Sequence, residues 1–479
     1  MSTISQSLTT ASNSFSSIIL KIVIISCVAG LLFGYDSSVT NGSLIFMALP
    51  TQLNLSAFAE GLVTSSLLFG AIFGSLFAGP IADKYGRKKA LILMAIILMA
   101  IISFIFRFGC VFAFTASMMI SFRFILGISI GGISVIVPMY LAEMATSKDR
   151  GNFIALYGLM IIVGQFLAFF VNALLGNLYA FMDDIWRYIF AISFLPATIL
   201  LIGILNLPES PRWLIASNKL NVASLILQKI RPEQTAKEEF RTIKNLVDSE
   251  KHLAKASFKE ILTTPWIRRL LFIGMAIALT QQITGVNAIN YYGTKILYDA
   301  GFNLNGALIA NTANGIISIV ATLIGMHYLN KVGRRKIFLT GLIMATIIEF
   351  SIGIFTLIFS NQDYYAYIVF GLILVFMTFQ QGCSSLVIWI LMSELFPLRL
   401  RGIGLGTITL VSWVSNFLIG LYFPSLINTI GTAMTFFVFA LCGLIFSLII
   451  FKYCPETKDR SLEELEYKFR HYQTVDCRK

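Results

Sequence analysis

Charge is scarce in this chain: 24 Asp and Glu and 36 Lys and Arg make up only 13% of 479 residues. The three histidines, His252, His327 and His471, stand far apart. No paired carboxylate motif and no nucleophile arrangement accompanies them, which argues against an enzyme and implies no metal and no cofactor. Cysteine is sparse too. Cys27, Cys110, Cys383, Cys442, Cys454 and Cys477 are scattered singly, a distribution that argues against both a disulfide framework and a zinc site. Residues 1–17 are Ser/Thr-rich without a basic n-region or a cleavage site, so they read as a short disordered tail and not as a removable signal peptide. Gly30 to Gly34 and Gly402-x-Gly404-x-Gly406 follow no strand, which excludes phosphate-binding loops; close packing of apolar helices through small residues explains them.

What the chain has in excess is apolar side chain: 57% hydrophobic residues, 41 Phe and a mean hydropathy of +0.81. No soluble globular protein of this size needs so much. Apolar runs cover roughly Ile18 to Val39, Glu60 to Ala82, Ala90 to Phe108, Ser117 to Leu141, Asn152 to Leu175 and Trp186 to Leu205. Six more cover roughly Leu270 to Leu297, Gly306 to Leu329, Ile337 to Phe359, Tyr365 to Met392, Ile403 to Ile427 and Ala433 to Tyr453. Each is near or above the ~20 residues that a helix needs to cross a bilayer core. The expectation is an all-α membrane protein of twelve transmembrane helices, here spans 1 to 12.

Orientation follows from Lys and Arg. Lys84, Arg87, Lys88 and Lys89 follow span 2, Lys148 and Arg150 follow span 4, Lys331 and Arg334 to Lys336 follow span 8, and Arg399 and Arg401 follow span 10. Alternate loops near 39–58, 109–116, 360–364 and 428–432 carry neither. The positive-inside rule therefore puts the basic loops and both termini in the cytoplasm of a cell-membrane protein. The net charge of +12 reads as a topology signal with contact to anionic lipid headgroups, not as nucleic acid binding. The expected organisation is a tail at 1–17, six-helix bundles at 18–206 and 270–453, a cytoplasmic linker at 207–269 and a tail at 454–479. Alternating basic and acidic residues at helical spacing make the linker a set of short amphipathic helices.

The two bundles are homologous. Asp83-Lys84-Tyr85-Gly86-Arg87-Lys88 returns as Asn330-Lys331-Val332-Gly333-Arg334-Arg335, an offset of 333 − 86 = 247. Glu143, Arg150 and Gly151 return as Glu394, Arg401 and Gly402 at 394 − 143 = 251, and Pro208-Glu209-Ser210 returns as Pro455-Glu456-Thr457 at 455 − 208 = 247. Landmarks kept in order over half a chain indicate an internal duplication, and paired halves are a common transporter plan.

Ionisable side chains inside a span cost roughly 2.5 to 3.5 kcal/mol each on insertion scales. Asp36 lies 36 − 21 = 15 residues beyond Lys21, and Arg123 lies 143 − 123 = 20 residues before Glu143. At 1.5 Å per residue these positions are about 22 and 30 Å from the cytoplasmic ends, at heights that allow pairing. Either the pair is static, or its carboxylate is alternately paired and released and serves as a proton carrier; replaceability of a static pair by apolar packing favours the proton role. Glu349, in mid-span 9, reads first as an interior hydrogen-bonding group and second as another titrating site.

A neutral constellation accompanies these charges. Gln165 lies on span 5, Gln281, Gln282, Asn287 and Asn290 on span 7, Trp389 on span 10, and Trp413 and Asn416 on span 11. Amides both donate and accept, and an indole covers the C–H face of a sugar ring, so a polyhydroxylated ligand fits. Interhelical hydrogen bonding is the bland alternative for a single amide; a cluster in a helix interrupted by Thr284-Gly285 favours a ligand site.

Over roughly residues 18–465 the chain resembles the sugar porter family of the major facilitator superfamily. The resemblance rests on Gly34-Tyr35-Asp36, Asp83-x-x-Gly86-Arg87-Lys88, Arg123-x-x-x-Gly127 through Pro138-x-Tyr140-x-x-Glu143 to Arg150-Gly151, and Pro208-Glu209-Ser210-Pro211-Arg212-Trp213-Leu214. It continues in Gln281-Gln282-x-x-Gly285-x-Asn287, Tyr291-Tyr292, Ser393-Glu394-x-Phe396-Pro397 and Pro455-Glu456-Thr457-Lys458. Asn41-Gly42, Gln52 to Leu55, Glu60 to Ser65 and Gln380-Gln381-Gly382 look like bacterial myo-inositol transporters and their hexose-transporting relatives. The resemblance implies import of myo-inositol, glucose or xylose with protons, by a monomer working through alternating access. It implies that Gln165, Gln281, Gln282, Asn287, Trp389 and Asn416 hold the sugar, and that Asp36 with Arg123 couples the proton. It further implies that Asp83, Arg87, Glu143, Arg150, Arg334, Glu394 and Arg401 form ion-pair clusters closing the cytoplasmic side. Asn330 replaces the family's usual Asp, which weakens the second cluster, and Ser385-Leu386 replace a common Gly-Pro, which puts the bend of span 10 in question. A passive facilitator and a transporter-like sensor are the alternatives; the short tail after Tyr453 counts against the sensor.

Overall fold

A computed structural model of the protein describes residues 2–109, 115–146, 149–252, 260, 263–396 and 401–457. Among these, every regular element is helical. Apolar runs become helices because a bilayer offers no partner to backbone polar groups, so each span satisfies them internally. Span 1 is Ser2–Ser38 continued by Thr40–Met47, span 2 is Ala57–Tyr85, and span 3 is Arg87–Gly109. Span 4 is Ala116–Met144, span 5 is Arg150–Leu178, and span 6 is Ile185–Ala191 with Phe194–Leu205.

In the second half, span 7 is Pro265–Ile283 with Val286–Asp299, span 8 is Leu304–Val332, and span 9 is Arg334–Phe359. Span 10 is Tyr365–Phe379, a π-helical turn Gln380–Ser385 and Leu386–Leu395. Spans 11 and 12 are one element, Arg401–Tyr453, kinked at Gly431 where φ is +81°. Twelve spans result, as the hydropathy predicts. Helix extends back to Ser2 where a disordered tail through residue 17 is expected; once a helix is nucleated by an apolar run, adding Ser and Thr turns to its start needs no new nucleus. The tail after residue 457, with Lys148, Arg399 and Cys110, lies outside the described residues.

Packing repeats between the halves. Span 1 packs on span 5 and span 2 on span 4, as span 7 packs on span 11 and span 8 on span 10. Across the seam, span 2 meets span 11 and span 5 meets span 8, the arrangement a two-fold axis along the spans produces. The linker helices Pro211–Ala216, Leu220–Ile230 and Glu233–His252 bury their own cluster around Trp213, Leu214 and Ala223. They dock on the first half: Trp213 Nε1 donates to the Asp83 carbonyl at 2.7 Å, and Arg231 Nη2 to the Met144 carbonyl at 2.8 Å.

Candidate functional site

Span 7 breaks where the sequence interrupts it. Gly285 takes φ +68°, a left-handed conformation that side chains with a Cβ rarely adopt, and begins the second half-helix. The break turns amides on either side toward one another. Asn287 Nδ2 donates to Gln282 Oε1, and Gln282 Nε2 donates to Ser412 Oγ on span 11 at 2.9 Å. One turn on, the Tyr291 hydroxyl donates to Asn416 Oδ1 at 3.1 Å. Gln281 and Asn287 stay only partly buried in mid-span, as does Gln165. The backbone of Gln165 lies against Gly34, two residues before Asp36, and the Trp413 ring lies 6.2 Å from Phe33 on span 1. Spans 7 and 11 therefore bring Gln282, Asn287 and Asn416 together, while Gln165 of span 5 lies against span 1. Trp389 is half exposed. A π-helical turn ends at Ser385, the first of the two positions where a Gly-Pro is missing from span 10, and Gln380 of that turn donates to Thr284 Oγ1 at 2.9 Å, tying span 10 to the break.

Asp36 and Arg123 are both 1% exposed and face each other electrostatically. They make no direct ion pair in this conformation. Arg123 Nε donates to the Val63 carbonyl at 2.7 Å, its guanidinium lies 5.7 Å from the Phe190 ring, and its Nη1 has no partner. Ser193 lies beside the Asp36 carboxylate but its hydroxyl donates to the Phe190 carbonyl at 2.8 Å, so neither carboxylate oxygen receives a well-formed hydrogen bond. The carboxylate and the guanidinium are thus neighbours that do not bond to each other.

At the basic-loop end, Arg87 Nη2 pairs with Glu143 at 2.9 Å and with Asp83 at 3.1 Å. Ser210 Oγ donates to the other Glu143 oxygen. All four residues belong to the first half and its linker, so this cluster clamps spans 2, 3 and 4 to one another and does not itself bridge the halves. Arg150 Nε donates to the Ala142 carbonyl at 3.0 Å, away from Glu143. The side chains of Glu394, Arg401 and Asn330 lie outside the described residues, and Arg334 offers its backbone N–H to Glu456 Oε1 at 2.9 Å.

Three contacts were not drawn from the sequence. Glu209 accepts from the Arg87 and Lys88 backbone N–H groups as Glu456 does from Arg334 and Arg335, at the same separation of 122 residues. The equal 247-residue offset of both motifs was the available signal. Asn41, fully buried, donates to the carbonyls of Ile289 and Asn290, and its Oδ1 accepts from Thr294 N, Thr294 Oγ1 and Asn311 Nδ2. Glu60 of span 2 pairs with Lys295 of span 7. These last two join the halves at the end opposite the basic loops. Nothing local in the sequence announces them.

Comparison with known proteins bears on this arrangement. The family described as "Sugar (and other) transporter" matches residues 22–469. The chain is 46% identical over 463 residues to the major myo-inositol transporter IolT of Bacillus subtilis (strain 168), covering 97% of each. The partially occluded inward open conformation of the xylose transporter XylE from E. coli matches with a TM-score of 0.80 at 25% identity, covering 93% of this chain and 100% of that one. The proton:xylose symporter XylE bound to 6-bromo-6-deoxy-D-glucose matches with a TM-score of 0.76 at 26% identity, over 95% and 99%.

Proposed function

Because this chain belongs to the sugar transporter family of the major facilitator superfamily, a multi-pass membrane transporter and not an enzyme, we propose that it imports a small neutral polyol or monosaccharide together with protons. Myo-inositol comes first among the substrates, then a hexose such as glucose, then xylose. The observation that carries this reading is the Ser412–Gln282–Asn287 chain of hydrogen bonds across the break in span 7. Amides that satisfy one another when no ligand is present exchange those bonds for hydroxyl groups when one arrives, so little polar surface is left unpaired in either state. The relation to IolT and to XylE supports both the polyol class and the proton.

The cycle follows from the seam. The halves are joined through Asn41 and through Glu60 with Lys295 at the end opposite the basic loops, and the hydrogen bonds and ion pairs described at the basic-loop end stay within one half or its linker. With the basic loops and termini cytoplasmic, this is an inward-facing state. In the outward-facing state Gln165, Gln281, Gln282, Asn287, Trp389 and Asn416 take the sugar while Asp36 takes a proton and stands free of Arg123. Rocking of the halves then opens the inner side, where sugar and proton leave. Anionic lipid headgroups meet the basic loops of a protein that works as a monomer in the cell membrane.

Uptake of labelled myo-inositol into proteoliposomes, competed by unlabelled D-glucose and D-xylose, tests this reading. An inward proton gradient should drive uptake above the equilibrium level. Flux indifferent to the gradient would make the protein a facilitator, and no flux of any of the three would leave a sensor.

A further inference from the structure

Glu349 lies in the middle of span 9, is 1% exposed, and neither carboxyl oxygen has a hydrogen-bond partner. Among the described residues no cation pairs with it and no hydrogen-bond donor reaches it as it stands. From span 7 it meets Gly285: a Cβ built on that glycine would sit 3.3 Å from Glu349 Oε1. From span 12 it meets Gly443, whose Cβ would sit 3.6 Å from Glu349 Oε2. The Cys442 thiol, next along span 12, is the titratable group within its field. Thr346, which faces Gly443 alongside it, is already bonded to the Leu342 carbonyl at 2.8 Å. Span 10 presents Gln380, whose Nε2 is taken by Thr284 and whose Oε1 is itself unpartnered and buried. The basic residues of span 9, Arg334 to Lys336, are 349 − 336 = 13 or more residues away, about 20 Å along the helix. Asp36 has an arginine to turn to. Glu349 has none.

An ionised carboxylate in such a place has neither cation nor donor, the most costly condition a buried group meets. A protonated one is a neutral donor and acceptor. We propose that Glu349 is a second proton-binding carboxyl, and that its neutral form holds the left-handed break of span 7 at Gly285 in the shape that presents Gln282 and Asn287 to the substrate. Glu349 is a positioning residue: it touches the hinge behind the amides and acts on the sugar through them. Losing its proton places a charge against Gly285 and the first turn of the second half-helix, and the hinge rearranges toward the unpaired N–H groups there. Substrate affinity then depends on a proton that Asp36 does not carry.

The inference rests on the transport reading above, so its test includes one readout that needs no substrate. In purified full-length protein, infrared difference spectra near neutral pH should show a protonated-carboxyl C=O stretch in D36N that is missing from D36N/E349Q. No difference in that band overturns the proposal whatever the protein transports. The second readout is equilibrium binding of myo-inositol across pH. In D36N, affinity should still fall as pH rises, by up to tenfold per pH unit once the proton is lost, as linkage of one proton requires. In D36N/E349Q the profile should be flat, because Gln keeps the neutral shape at every pH; in D36N/E349A binding should be weak and equally flat. A flat profile in D36N, or a slope that survives E349Q, overturns the coupling of Glu349 to the site. Absence of myo-inositol binding by the unmodified protein counts against the transport reading alone, and the infrared band decides the proton.

Discussion

Glu60 of span 2 and Lys295 of span 7, 235 residues apart in sequence, form an ion pair across the seam between the halves, with the Glu60 side chain only 9% exposed. The pair lies at the end opposite the basic loops and shares that end with Asn41. Together they bond the broken span 7 to spans 1 and 2. Any motion that opens this end must first break them.

E60Q or K295M should therefore shift the resting population toward the state open at that end. Breaking a partly buried pair by removing one member costs on the order of 1 to 3 kcal/mol, which corresponds to a roughly five- to hundredfold change in the balance of two states. Spin labels at Phe181 and Asn305, exposed in the first and second half respectively, should report a longer mean distance. The charge swap E60K/K295E should return the distance toward its original value. Unchanged distances in both single variants would show that Asn41 alone secures this end.

D36N removes the charge that Arg123 faces while keeping the side chain's shape. The expected outcome is loss of concentrative uptake with retention of sugar exchange, since a neutral residue carries no proton but leaves the amide site intact. Accumulation under an imposed gradient should fall to the equilibrium ratio, and counterflow should stay within about threefold of the original. Continued accumulation by D36N would assign Asp36 a structural role.

Q282A deprives Asn287 and Ser412 of their shared partner. An unpaired buried amide costs about 1 to 3 kcal/mol, so substrate affinity should weaken by roughly ten- to a hundredfold. Y291F removes only the hydroxyl that meets Asn416 and should weaken affinity by a few-fold at most. Equilibrium binding separates this loss from any change in turnover. A larger effect of Y291F than of Q282A would mean that the Tyr291–Asn416 contact, and not the span 7 break, dominates the site.

Glu209 and Glu456 each hold two backbone N–H groups at the start of a span, Arg87 and Lys88 in one half, Arg334 and Arg335 in the other. E209A and E456A should each lower stability by about 1 to 3 kcal/mol, read as a lower thermal midpoint in detergent. The two sites are in different halves, so the double variant should show the sum. E209A should also loosen Glu143, which Ser210 holds beside it.

The legible part of this molecule was the part written in local pattern. Gly86 and Gly333, at φ +101° and +100°, turn the chain after spans 2 and 8 alike, and the repeated motif had marked both as turns of one design. The break at Thr284-Gly285 was equally visible, because a Thr-Gly pair amid amides interrupts an apolar run. Trp389 was less legible: its type suited a sugar ring, but which face of span 10 it occupies depends on the register through the π-helical turn, and that turn has no reliable local mark.

Sequence by itself determined the twelve spans, the duplication, the basic loops and which charges must lie in the membrane, because hydropathy, Lys and Arg placement and motif offsets are properties of short segments. Only the tertiary structure decided what those charges face. It put Lys295 on Glu60, set Arg123 beside Asp36 without joining them, and left Glu349 against a glycine with no hydrogen-bond partner among the described residues. Pairing over 235 residues follows from how helices rotate and pack across a seam. Rotation of one span by a single residue, about 100°, would exchange every one of these partners while leaving the hydropathy pattern untouched.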